Sequence, residues 1–490
     1  MRLICKWKKF YLAIIHCCFL TCANSQDYRA VHGSSYGGSL VVANNPASIV
    51  HIPFVLDLTP LAFQFKHSTN AFVIKNSSYL SSKNAEIFLS NGKYKSFIMA
   101  NQDIRLLNAS IRIGDRSAIA FGAAGRSYIS ANTSSLLFQD SVGRIREFMG
   151  NNISNIPASA EARGHAWAEI FGTFARTIFD NSNAILNAGI TVKTNLGIAG
   201  GYLTATDLNE TAGTVNNKPG YYLTSGLLNY GFSSNIDVLD SSTSYNTAKK
   251  DFFRNTFSTF GISAGVEYIV PANIEGNGYE HELKIGLSLL DLGANRFQYS
   301  GYSRAAILNK NNVSDSLLDV FFDNISDAAS LADSLYIISG SNSPLAGNYK
   351  IFQPARIVVN ADKHLSGNIF INGELTIPFH TLMGNKQLVA RDMNFINLTA
   401  RFETPYWGIY FPASLNNRMH FWLGGAFRFG PLLLGVHNWA SVLGKNKIQD
   451  GGAYLAFTFR FGEKNRIGGE KGQLNSGKAL KQLKCPPSVL

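Results

Sequence analysis

Residues 451–469 read GGAYLAFTFRFGEKNRIGG. From Leu455 to Phe461 the odd positions are Leu455, Phe457, Phe459 and Phe461; the even ones are Ala456, Thr458 and Arg460. Side chains alternate faces along an extended chain, so this is a strand with one greasy face and one small or polar face. Which face meets water decides the fold. A soluble sandwich buries the greasy face, whereas a membrane barrel turns it to lipid.

The same alternation recurs upstream. Phe260, Ile262, Ala264, Val266 and Tyr268 oppose Gly261, Ser263, Gly265 and Glu267, and Leu283, Ile285, Leu287 and Leu289 oppose Lys284, Gly286 and Ser288. Ile369, Ile371, Leu375, Ile377 and Phe379 oppose Asn368, Asn372, Glu374 and Thr376, with Phe370 the exception. Met419, Phe421, Leu423, Phe427 and Phe429 oppose His420, Gly424 and Arg428. Runs of about ten residues are the span of a tilted transmembrane strand. Three features favour lipid as the solvent of the greasy face. The opposite faces are rich in Gly, Ala, Ser and Thr rather than in charges. Aromatics (Tyr222, Tyr230, Phe232, Tyr406, Trp407, Tyr410, Trp422) cluster around the strands, as interfacial girdles require. Charged residues make up only 16% of the chain and aromatics 12%, greasy for a protein with no run of about eighteen apolar residues. The expectation is an all-β transmembrane antiparallel barrel of about fourteen strands.

The chain opens with Arg2, Lys6, Lys8 and Lys9, an apolar run from Phe10 to Cys22, and Ala23-Asn24-Ser25, the pattern of a secretory signal peptide over residues 1–25. Four of the five cysteines (Cys5, Cys17, Cys18, Cys22) leave with it, so only Cys485 remains and no internal disulfide framework is expected. The four basic residues leave too, lowering the net charge from +12 to +8, and residues 463–490 hold six Lys/Arg against two Glu. The body is therefore only mildly basic, which argues against a nucleic-acid partner. Outer-membrane lipid is the expected surrounding, with both termini periplasmic because the strand number is even.

Several stretches in order resemble a known family: NNPAS (44–48), RSAIAFGAAGRS (116–127), AWAEIFGTFAR (166–176), GITVKTNLGIAGGY (189–202), GLSLLDLG (286–293), PARIVVNADKHLSGNIFING (354–373) and LTARFETPYWGIYFP (398–412). Together they are similar to an uncharacterised family of Bacteroidetes-type outer-membrane barrels. That family is itself distantly similar to long-chain fatty-acid transporter barrels and to the PorV-like barrels of a secretion system. The resemblance implies a fourteen-stranded barrel with an N-terminal segment in the lumen. The residues themselves divide the chain into a hatch or leader (26–52), the barrel (53–462) with one helical loop, and a basic periplasmic tail (463–490). The resemblance also implies that Asn45, Pro46 and Ala47 match the hatch element of the transporters; an ordinary Asn-Pro turn is the plain alternative.

Arg126, Lys193, Glu267, Lys284, Asp362, Glu374, Arg401, Arg428 and Arg460 lie on the polar strand faces. A charge in hydrocarbon costs about 2–4 kcal/mol, so they are expected to face the lumen, as a structural ion-pair network or as the lining of a substrate path. Gly33-Ser34-Ser35-Tyr36-Gly37 fits the pattern of a hydrolase elbow but lacks the strand and helix it needs, and reads as a flexible leader. Asp315, Asp319, Asp323 and Asp327 recur every four residues beside an apolar stripe, predicting a helix over 313–336 with a solvated acidic face. The scattered histidines hold no metal-ligand spacing, and neither a cofactor nor a catalytic constellation is expected. Two functions remain. One is a transporter or channel for small apolar or amphipathic molecules; the other is a non-conducting structural barrel that serves an envelope or secretion partner.

Overall fold

A computed structural model describes residues 28–463, apart from 82–84, 155, 182, 216, 236–251, 253–255, 273–280, 310–312, 324, 326–327, 380–387 and 445–446. The expected signal peptide, and the tail beyond Glu463 with Cys485, lie outside the described residues.

Fourteen strands form a closed antiparallel barrel. In chain order they are β1 (Phe54–Thr69), β2 (Gly92–Ile113), β3 (Ser117–Phe138), β4 (Ala158–Asp180), β5 (Ile185–Val215), β6 (Ser258–Pro271) and β7 (His281–Gln298). Then follow β8 (Arg356–Ser366), β9 (Ile369–Pro378), β10 (Phe395–Glu403), β11 (Trp407–Asn416), β12 (Gly425–Phe429, prolonged by Phe421–Leu423), β13 (Leu432–Val436) and β14 (Asp450–Glu463). Each pairs antiparallel with the next, and β14 returns to β1, so no edge is left. The stretch that opened the reading is this closing strand. Leu56, Leu58 and Leu61 stand opposite Phe461, Phe459 and Phe457, while Asp57 stands opposite Arg460.

The two faces of that seam have different solvents. Phe457, Phe459 and Phe461 are exposed on the outside, whereas Ala456 and Thr458 are buried within. The outer apolar band continues around the wall through Phe121, Ile170, Val192, Phe260, Leu287, Val359, Leu375, Leu398, Phe411, Phe427 and Leu434. Among the described residues no helix is long and apolar enough to cross a membrane; the crossing is made by strands. Phe370, the one breach of alternation, keeps the even-numbered, inward parity and is buried, its ring 4.7 Å from the Arg401 guanidinium.

The end of the barrel that holds residue 54 and residue 463 has short connections, such as 114–116, 367–368, 404–406 and 430–431. The opposite end carries the long loops. There β5 continues, 31 residues long and thus roughly 100 Å if extended, far beyond the wall. Its outer half pairs with Lys218–Phe232, which in turn pairs with Arg304–Ile307 and Val313–Ser314. This superstructure has its own core, in which Leu228, Tyr230 and Leu308 pack with helices α1 (Ile145–Asn152), α2 (Asp315–Asp323) and α3 (Ala328–Ile338).

Three expectations change here. The segment 313–336 forms two helices, α2 and α3, and further helices stand in other loops, so helical structure is not confined to one loop. The acidic face of α2 is not simply solvated. Asp315 accepts from Arg146 Nε at 2.7 Å and Asp319 accepts from the Ile145 backbone at 3.1 Å, docking α1; Asp327 lies outside the described residues. The aromatics divide as well. Tyr406 and Trp407 are exposed, as girdle residues should be, but Tyr410 and Trp422 point into the lumen and Tyr230 into the loop-side core.

Candidate functional site: a plugged lumen

The inward faces of the strands enclose residues 28–52. This segment folds as three short 3-10 turns, Arg29–Val31, Gly38–Ala43 and Pro46–Ile49, with nearly every side chain buried. The expectation of a flexible Gly/Ser leader at 33–37 is therefore corrected. Glycine suits tight packing as well as it suits mobility, and here it serves packing. Gly38 has φ +58, and a Cβ on it would sit 1.9 Å from Asp57 Oδ2. Ser34 donates to Glu403 at 2.5 Å and belongs to no strand-turn-helix elbow.

Side-chain bonds tie the segment to strands all around the wall. Ser39 N donates to Asp57 (2.7 Å), Arg112 donates to Ile52 O (3.1 Å), and Ser288 donates to Asn44 O (2.5 Å). One apolar part, Val41, Val42, Ile49 and Val50, lies against Ala118 and Ala120 of β3 and Phe171 and Ala175 of β4; another, Tyr28, Ala30, Val31 and Leu40, packs with Ala62 of β1, Tyr410 of β11, Ala426 of β12, Leu433 of β13 and Tyr454 and Ala456 of β14.

Asn45, Pro46 and Ala47 sit at the tightest of these contacts. Asn45 caps the third turn by accepting from Ala47 N (3.0 Å) and donates to Val266 O (2.9 Å). Three wall glycines make room for the group. A Cβ at Gly189 would lie 2.5 Å from Pro46 C, one at Gly265 2.1 Å from Asn45 Oδ1, and one at Gly286 2.9 Å from Asn45 Nδ2. Distances under about 3 Å are closer than packed atoms approach, so a side chain at these positions would expel the segment.

All nine charged residues singled out from the sequence point inward. Four hydrogen-bond the segment. Glu267 accepts from Ser48 (2.6 Å), Lys284 donates to Gly33 O (3.1 Å), Arg460 donates to Tyr36 O (2.7 Å), and Glu374 bonds His32. Asp362 and Arg401 pair with each other (2.7 Å), Asp362 with His281 (2.5 Å), and Arg401 with Glu403 (2.7 Å). Arg428 donates to Tyr410 (3.1 Å) and to the Pro405 carbonyl (3.0 Å).

The remaining two, Arg126 and Lys193, meet in a network whose acidic members the sequence had not marked. Arg126 grips Asp291 with both Nη atoms (3.0 and 2.9 Å) and reaches Glu169 (3.1 Å). Lys193 and Arg356 also bind Asp291, at 2.6 and 2.8 Å. Asp291 had been hidden by a bulge: its φ is +58 and the β6–β7 register shifts between Leu289 and Leu292, so strict alternation misplaces it. Glu169 could have been found, since it shares its face with Trp167, which donates to it at 3.1 Å. Between this network and the plug lies a cavity with room for about one water, lined by Val42, Ala43, Arg105, Glu169, Phe171, Thr191, Lys193 and Ser263. With the segment in place the lumen there is closed. Among the described residues no group of three metal-ligating side chains occurs.

A closed strand wall, an apolar outer band and a polar interior filled by the chain's own N-terminal segment define an outer-membrane-type β-barrel with a luminal hatch. The chain belongs to the family of unknown function (DUF5723), whose profile matches residues 43–436. Among solved structures it is similar to the toluene transporter TbuX of Ralstonia pickettii, at 13% identity over 87% of this chain and 94% of that one, with a TM-score of 0.38. A FadL homologue of Pseudomonas aeruginosa is similar at 10% identity over 86% and 94%, TM-score 0.39, and the toluene transporter TodX of P. putida at 9% over 87% and 95%, TM-score 0.38. No curated protein matches the sequence.

Proposed function

We propose that this barrel is a hatch-gated channel of the outer membrane for small apolar or amphipathic molecules, with both termini in the periplasm. The supporting observation is that the hatch contributes no strand to the wall. The fourteen strands close on one another without it. Residues 28–52 contribute 3-10 turns rather than a strand, held by hydrogen bonds, some of them to charged groups, and by two apolar clusters, one around Val41, Val42, Ile49 and Val50 and one around Tyr28, Ala30, Val31 and Leu40. Such bonds contribute about 1 kcal/mol each when neutral and about 1.5–3 when charged, so they can be broken a few at a time while the wall stays intact. Movement of Val41, Val42, Ile49 and Val50 would uncover an apolar strip of wall at Ala118, Ala120, Phe171 and Ala175, a surface suited to an apolar solute. The short turns at the end that holds residues 54 and 463 support the periplasmic orientation.

The test is uptake of an apolar fluorescent probe into liposomes carrying the purified protein. Faster entry than into empty liposomes supports the channel; entry at the same rate rejects it.

The alternative, a non-conducting barrel serving an envelope or secretion partner, draws on the loop-side superstructure, which has its own packed core outside the wall. A stable envelope complex that co-purifies with an impermeable barrel would favour it.

A further inference from the structure

Away from the hatch, at the loop-side mouth of the barrel, three arginines converge on one carboxylate. Glu161 and Arg163 are the fourth and sixth residues of β4, counted from its loop-side end, and Arg163 Nη2 bonds Glu161 Oε2 at 2.8 Å. Arg391, from the connection between β9 and β10, bonds the other oxygen, Oε1, at 2.6 Å. Arg418, from the connection between β11 and β12, donates to Asn132 Oδ1 at 2.9 Å, and Asn132 donates in turn to Glu161 Oε1 at 3.4 Å. The neighbouring charges are matched among themselves: Lys66 with Asp392 at 3.3 Å, and His420 with Asp450 at 2.7 Å. Among the described residues three guanidinium groups therefore share one carboxylate, an excess of two positive charges.

A second observation is independent of the charge count. The Nε atoms of Arg163 and Arg418 are shielded from solvent and have no hydrogen-bond partner among the described residues. A guanidinium carries five donors, and a buried donor left unmade is destabilising. Meanwhile the cluster is not sealed, because 30% of the Arg391 side chain is exposed. Unmet donors and uncompensated charge from three separate elements, open on one side to water, make a receptor for an anion. Two surplus charges and forked donors suit a tetrahedral dianion better than a monovalent carboxylate. We infer that Arg163, Arg391 and Arg418 form a binding site for a phosphate monoester group at the outer mouth of the barrel. The group could be carried by a soluble molecule or by a lipid headgroup. A purely structural role, tying residues 388–394 to β4, would give the same ion pairs but no affinity for added phosphate.

The experiment uses the purified full-length barrel in an uncharged, phosphate-free detergent, titrated with inorganic phosphate in a calorimeter. Saturable binding is expected, with acetate at least tenfold weaker and added salt weakening both. Arg418→Gln, which breaks no ion pair, should lower phosphate affinity about tenfold while the barrel keeps its heat-modifiable migration. Arg391→Lys, which keeps the charge and loses the fork, should fall between that variant and the parent. Glycerol phosphate and mixed micelles of phosphatidic acid then compete. Displacement by glycerol phosphate alone assigns the site to soluble phosphates, and displacement by phosphatidic acid at much lower concentration assigns it to lipid. Absence of saturable binding, equal affinity for acetate, or unchanged affinity in Arg418→Gln would each overturn the inference. None of these readings requires passage through the barrel, so their failure leaves the channel proposal standing.

Discussion

Gly189→Ala should release the hatch without harming the barrel. The added methyl would lie 2.5 Å from Pro46 C, 2.6 Å from Pro46 O and 2.7 Å from Ala47 N, all backbone atoms that cannot rotate aside. Overpacking of this kind costs about 1–3 kcal/mol. Shifting the Pro46 turn also strains the Asn45 bonds to Val266 O and Ala47 N, each contributing about 1 kcal/mol. A total near 3 kcal/mol shifts the ratio of displaced to seated hatch by about a hundredfold. Thiol labelling reads this out. With Ala43→Cys as reporter on the buried hatch, labelling should be slow in the parent and about a hundred times faster with Gly189→Ala. Gly172→Ala is the control: it lies on the outer face of β4 with no atom within 4 Å of the new methyl, and should label like the parent. Equal labelling of Gly189→Ala and the parent would refute the packing argument.

Phe459→Arg should block assembly, because an arginine on the lipid face costs about 2–4 kcal/mol at mid-membrane; loss of heat-modifiable migration is the readout. Ser288→Arg, which a reading from alternation alone would expect to be tolerated, should instead unseat the hatch, because Ser288 lies 2.5 Å from Asn44 O; the same thiol label would report it. Asp291→Ala leaves Arg126, Lys193 and Arg356 without their common partner and should cost about 3–5 kcal/mol, visible as a lower melting temperature in detergent. The loop-side helices should loosen in acid. Burial pushes the Asp315 carboxyl up, but hydrogen bonds from Arg146 and Ser316 outweigh it and hold it below the usual range. Its contribution is therefore complete above the usual carboxylate range and is lost as pH falls through the lower folded value. Proteolysis between 313 and 338 by an acid-active protease should become easy only in that acid range, and Asp315→Asn should remove the pH dependence.

The wall was legible because lipid on one side and a polar lumen on the other enforce a strict two-residue period. That period carried more than was first drawn from it. Trp422 shares the parity of Arg428, and Phe370 that of Asn372, so their burial in the lumen could have been read where an aromatic side chain suggested a girdle or an exception. Asp291 was not legible, since the bulge that turns it inward breaks the period that would have placed it. The hatch was legible only at Asn45-Pro46-Ala47, through a resemblance; Gly33 to Gly37 looked mobile because nothing local shows which partners a glycine approaches. Gly33 approaches Asp362 and Asn372, and the adjoining Gly38 approaches Asp57, all distant in the chain. The arginines at the mouth were invisible for a related reason. Two of the three lie on loops without periodicity, and only folding brings them to Glu161.

Conductance across a planar lipid bilayer tests the central claim most directly, with the parent and a variant lacking residues 28–52 measured side by side. If the wall is complete without the hatch and the hatch is what closes it, the parent should insert with little or no steady current. The deletion variant should insert as a heat-modifiable barrel with large, stable conductance steps. A deletion variant that inserts normally yet remains as impermeable as the parent would contradict the account.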